Sequence, residues 1–83
     1  MRELSIAQSV ADMAIRRAAG RPVRKVEVSV GRLRKVDTDN LQLAFGLVTQ
    51  GTALDGAHLQ IDVLAGEELL IDALELEVGA GCS

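Results

Sequence analysis

The sequence predicts a two-layer α/β domain of the α+β kind, in the order α-β-α-β-β, with a small mixed three-stranded sheet and both helices on one face. Three observations carry this. Two segments repeat apolar residues at three- and four-residue spacing, as amphipathic helices do. Three others alternate apolar with polar residues, as half-buried strands do. Glycine, proline or short polar clusters punctuate the boundaries between them.

Leu4 to Ala19 reads as the first helix, with Ala7, Val10, Ala11, Ala14 and Ala18 on one stripe and Ile6, Met13 and Ile15 at its flanks. Alanine makes the stripe thin, so this helix can lie close to what it covers. Glu3 suits the positive end of the helix dipole, and Arg16 and Arg17 suit the negative end. Gly20 stops the helix and Pro22 forbids its continuation.

Val23 to Leu33 reads as a strand, in which Val26, Val28 and Val30 alternate with Glu27 and Ser29 and Gly31 marks a bulge or bend. Asp37-Thr38-Asp39-Asn40 opens a second helix with a capping side chain. Its stripe is Leu41, Ala44, Phe45 and Val48, and Gly51 ends it.

Ala57 to Leu64 is the second strand and Glu68 to Val78 the third. The third slips phase near Asp72-Ala73, where a bulge is expected. The short link Ala65-Gly66-Glu67 predicts an antiparallel hairpin between these two strands. The first strand, second helix and second strand form a right-handed crossover with parallel strands. Lys25 then sits opposite Glu75 or Glu77 if the first and third strands are neighbours. Residues 1–78 make one domain, and 79–83 a tail.

Eighty-three residues allow one domain, and 12 Leu, 4 Ile, 9 Val and 11 Ala suffice for a core. One cysteine (Cys82) and one histidine (His58) cannot build a self-contained zinc site or an intrachain disulfide framework. A reducing, cytoplasmic setting is the expectation. With Phe45 as the sole aromatic residue there is no platform for stacking bases, which argues against nucleic-acid binding. No apolar signal core or membrane-spanning run is present.

Charge is divided along the chain. Residues 1–36 hold all nine Lys and Arg with three acids, a net +6, whereas 37–83 hold nine acids and no Lys or Arg, a net −9. Hydrophobic periodicity runs through both halves, so they are expected to interlock within one fold.

Several strings are more specific than their periodicity. Met1-Arg2-Glu3-Leu4-Ser5-Ile6-Ala7 resembles the start of the HypA/HybF hydrogenase-maturation nickel chaperones, which begin Met-His-Glu-Leu-Ser-Ile-Ala. The resemblance continues through Val26 to Leu33, is strongest in Leu41 to Thr52 and Asp55 to Ile61, and resumes in Gly66 to Ile71 and Leu74 to Glu77. It implies an α/β domain that is not an enzyme and holds nickel at its amino terminus. It also implies delivery towards [NiFe]-hydrogenase, with a HypB-type GTPase and the hydrogenase large subunit as partners, and in some members service to urease.

Two departures from the family pattern stand out. The family inserts a zinc module with two Cys-x-x-Cys pairs between its last two strands, whereas here Leu64 runs almost directly into Ala65-Gly66-Glu67-Glu68, so zinc is not expected. A natural loss and an engineered or truncated domain both fit this. Second, the histidine at position two is Arg2. Nickel(II) favours a planar set of nitrogens. By resemblance that set is the Met1 amine, the backbone nitrogens of residues two and three, and the second-position imidazole. Arg2 offers no lone pair and repels a dication. The Met1 amine, the amides of Arg2 and Glu3 and the Glu3 carboxylate remain as a weak metal site, so nickel binding is expected to be weak or absent.

Other candidates read more simply. His58 is either a replacement ligand or, as expected of a lone histidine, an ordinary strand-end residue. Cys82 sits in a Gly-Ala-Gly-Cys-Ser tail and is read as incidental. Glu67, Glu68, Asp72, Glu75 and Glu77 form a solvated face without a nucleophile beside them. Arg32, Arg34 and Lys35 read as a solubilising loop. The runner-up function is a metal-free protein-interaction module on the same scaffold. Two open sheet edges make a homodimer a further expectation.

Overall fold

A computed structural model describes residues 2–78. Its elements are α1 (Arg2–Ala18), β1 (Val23–Gly31), a 3-10 turn (Arg32–Arg34), α2 (Thr38–Val48), β2 (His58–Leu64) and β3 (Leu69–Leu76). Val26, Val28 and Val30 of β1 meet the alanine stripe of α1 and Leu41, Ala44 and Phe45 of α2 in one core. Each fully buried valine contributes about 1.5–3 kcal/mol through burial. The expected helical stripes are the buried ones, with Val48 packing at the core's margin. Leu54, fully buried from the loop after α2, joins the same core. That loop is tied to the start of β1 by the Val23 amide donating to the Ala53 carbonyl at 2.9 Å.

The α2 start is capped as its sequence predicts. Asp37 Oδ1 accepts from the amides of Asp39 at 3.0 Å and Asn40 at 3.1 Å.

The sheet order is β2-β1-β3, with β1 parallel to β2 and antiparallel to β3. This corrects the expected hairpin: β2 and β3 never pair. Their short link instead crosses the end of β1. The Gly31 amide donates to the Glu68 carbonyl at 2.7 Å, and the Leu33 amide to the Gly66 carbonyl at 3.0 Å. The physical reason is burial. Central placement covers the valine-rich strand on both edges, and it sets basic β1 against acidic β3. Lys25 lies in register with Glu75, as anticipated, and the ion pair runs from Arg24 to Glu75 at 3.5 Å. Gly31 closes β1 beneath the crossing link; the pairing irregularities lie elsewhere. One is the anticipated slip in β3, where Glu27 pairs with Ala73 and Val28 with Ile71, leaving Asp72 as the extra residue. Asp72 accepts a hydrogen bond from the buried Ser29 hydroxyl.

Both outer edges of the sheet are met by a helix side chain. Gln42 of α2 donates to the Leu59 carbonyl at 2.6 Å on β2, and Arg17 of α1 donates to the Ile71 carbonyl at 3.2 Å on β3.

Candidate functional site

The candidate site is the corner where α1 begins. An α-helix leaves its first amides without intrahelical acceptors, and the amides of Arg2 and Glu3 belong to that first turn. The loop between β1 and α2 closes over this turn. The Arg2 guanidinium donates to the carbonyls of Arg34 at 2.9 Å and Lys35 at 3.5 Å. Glu3 Oε2 accepts from the Asp37 amide at 3.1 Å. That hydrogen bond from the Asp37 backbone, then one from Glu3's own amide, holds the Glu3 carboxyl below the usual glutamate range.

The loop is in turn fastened to the link that crosses β1. Arg34 Nε donates to the Glu67 carbonyl at 2.7 Å and to the Glu68 carbonyl at 3.2 Å. Lys35 takes a left-handed conformation at φ 54°, which turns the chain from the 3-10 turn towards α2. Three segments far apart in sequence therefore meet here: 2–3, 32–37 and 66–68.

The electrostatics of the corner are those of a cation-rich site. Arg2, Arg32, Arg34 and Lys35 belong to these segments, and the positive dipole ends of α1 and α2 are brought together by the Glu3–Asp37 bond. Glu3, Asp37 and Asp39 offset part of that charge. Glu3 and Asp37 already accept hydrogen bonds from backbone amides. A divalent cation arriving here meets a guanidinium where a ligand would be useful.

The predicted site residues separate in the structure. Arg2 and Glu3 lie together at the corner, whereas Met1 and Cys82 fall outside the described residues. His58 is exposed at the start of β2 in register with Lys25, six positions from Gly31 at the corner's end of the sheet. At about 3.3 Å per residue that is roughly 20 Å, too far to share a metal with Arg2 or Glu3. Among the described residues no group of three or more His, Cys, Asp or Glu side chains could hold a metal ion. No helix among them is long and apolar enough to cross a membrane. Sequence reasoning missed the part played by Arg34 and Asp37 at the corner. Arg34 read as loop charge and Asp37 as a helix cap, and no local signal links either to residues more than thirty positions away.

Residues 1–68 match the family model described as "Hydrogenase/urease nickel incorporation, metallochaperone, hypA". The hydrogenase maturation factor HypA of Geobacter sp. (strain M21) is 38% identical over 66 residues, taking in 80% of this chain and 60% of the relative. That of Geotalea daltonii is 42% identical over 62 residues, 75% of this chain and 56% of the relative. The chain thus spans between half and two thirds of the length of these relatives. The HypA of Geotalea uraniireducens is 32% identical across 110 aligned positions that take in 93% of this chain and 100% of the relative. That alignment is longer than the 83 residues here, so the relative carries residues this chain lacks. With both helices, β1 and β2 inside the matched region, the chain belongs to the HypA family of hydrogenase and urease nickel-incorporation metallochaperones.

Proposed function

We propose that this chain is a HypA-type accessory protein in [NiFe]-hydrogenase maturation, and that it holds nickel more weakly than a homologue with histidine at position two. The match to the nickel-incorporation family over residues 1–68 carries the reading. The nickel donors in this proposal are the Met1 amine, the amides of Arg2 and Glu3, and the Glu3 carboxylate. A HypB-type GTPase and a hydrogenase large subunit are the proposed partners, the cytoplasm the proposed compartment, and residues 1–78 the working domain. Nickel is cargo here, taken up and given away.

Weak binding follows from the corner's chemistry. Backbone amides give up protons to nickel only beside an anchoring ligand, and a guanidinium has no lone pair to serve as one. Arg2 is also spent on the Arg34 and Lys35 carbonyls. Zinc has no proposed role, a reading supported by the Ala65–Glu68 link, which joins β2 to β3 without further structure between them.

Isothermal titration with nickel, run beside Arg2→His, tests the proposal. Arg2→His is expected to bind at least tenfold tighter than the parent. If neither protein binds better than about micromolar, a conversion to −8.2 kcal/mol, the nickel role is lost.

One observation favours a second reading, a metal-free interaction module: both side chains at the corner are engaged in holding the loop and helices together. Under that reading the parent co-purifies with the GTPase or the large subunit, and added nickel changes neither association.

A further inference from the structure

The two open edges of the sheet are not equivalent. In β1, the Gly31 amide turns towards β3, since it donates to Glu68. Backbone groups alternate sides along a strand, so those of Val26, Val28 and Val30 turn towards β2. Their partners in register are Leu59, Ile61 and Val63. In a parallel ladder those three residues then direct their own backbone groups away from β1, to the outer edge. Gln42 on the Leu59 carbonyl confirms the direction. Past that point, among the described residues, no helix side chain hydrogen-bonds the edge at Ile61 or Val63.

Beside this free half of β2 lies a cleft of about 80 Å³. Ile61 and Val63 line it from the strand, and Leu41, Val36, Thr38 and Arg32 from α2 and the preceding loop. The volume suits one branched aliphatic side chain, being about half the ~150 Å³ of a cavity that takes up benzene. Val63 is 52% exposed, large for an apolar strand residue whose opposite number, Val30, is buried. On β3, Arg17 meets the outer edge at Ile71, the third of its eight residues.

We propose that the Ile61–Leu64 half of β2 receives an extended peptide from a partner protein by strand addition, with one branched aliphatic side chain in the cleft and a carboxylate next to it. Strand addition supplies main-chain hydrogen bonds, and the pocket beside the edge supplies selectivity. Charge decides the occupant. Arg32 is the one charged residue lining the cleft, which favours an acidic group on the incoming strand. A second copy of this chain fits less well. With Leu59 taken by Gln42, antiparallel pairing of two such edges sets Ile61 against Val63 and therefore Asp62 beside Asp62, and like charges directly opposite destabilise a sheet.

The probe is a pair of fluorescein-labelled hexapeptides of alternating valine and threonine, one ending in glutamate and one in lysine, titrated by anisotropy into the full chain. The glutamate peptide is expected to bind at least tenfold tighter than the lysine peptide, and to shift the amide resonances of Arg32, Thr38, Ile61 and Val63. Val63→Pro removes an amide that points away from β1, a substitution an edge strand tolerates. It is expected to weaken binding at least tenfold while the far-UV spectrum and Tm stay near the parent's. Arg32→Glu keeps the fold and reverses the preference between the two peptides. Equal binding of both peptides, or no binding by either at millimolar concentration, overturns the proposal. So does a parent dimer, seen by sedimentation, that Val63→Pro dissolves, because the edge then belongs to a second copy.

Discussion

Replacing Gly31 with alanine tests the topology at its tightest point. A Cβ there would lie 2.1 Å from the Gly66 carbonyl oxygen, 2.4 Å from its carbon and 2.6 Å from the Glu67 Cα. All three are backbone atoms, so no rotamer change relieves the clash. The conflict is purely steric, since φ −71° and ψ 138° at Gly31 suit any residue. The link must therefore lift away from β1. Overpacking of this kind costs about 1–3 kcal/mol. Lifting also stretches the Gly31–Glu68 and Leu33–Gly66 hydrogen bonds, each worth about 1 kcal/mol net. The sum is about 3–5 kcal/mol, against a total stability of roughly 4–12 kcal/mol for a chain of this size. Urea unfolding followed by circular dichroism measures it. Gly46→Ala is the control: Gly46 lies in the exposed face of α2 with nothing within 4 Å of a Cβ. That change is expected to stabilise by up to about 1 kcal/mol. The opposite signs are the signature. A loss below 1 kcal/mol for Gly31→Ala, or equal effects from the two variants, would refute the crossing link and reinstate the hairpin.

Two further outcomes follow from the corner. Asp37→Ala removes the acceptor for two α2 amides and is expected to cost about 1–2 kcal/mol in urea unfolding; no loss would deny the cap. The Glu3 carboxyl titrates below its unfolded value, so its contribution is fully present above the unfolded pKa and disappears as pH falls through the folded one. The parent should therefore lose stability on acidification in that window more steeply than Glu3→Gln, as measured by Tm across the acid range; parallel profiles would show the Asp37 contact to be idle.

Most of the local structure was legible because its causes are local. The stripe from Ala7 to Ala18, the Asp37 cap, the valine alternation in β1 and the phase slip at Asp72 each depend on residues within a turn or two of one another. The family was legible too, since its strings are contiguous. The corner was only half legible. Arg2 and Glu3 stand in the motif, but their partners Arg34, Lys35 and Asp37 lie more than thirty residues on. Leu54 was missed because a loop leucine between glycines carries no periodicity to reveal its burial.

Sequence alone determined the elements, their order and the missing histidine, since each is written in neighbouring residues. Tertiary structure decided the neighbours of β1. A four-residue link between two amphipathic strands suits a hairpin by every local rule. The chain instead sends the link over Gly31, because only that order buries Val26, Val28 and Val30 between two partners and sets Arg24 and Lys25 against Glu75. Burial and charge pairing of this kind are sums over residues distant in the chain, and no short window of sequence contains them.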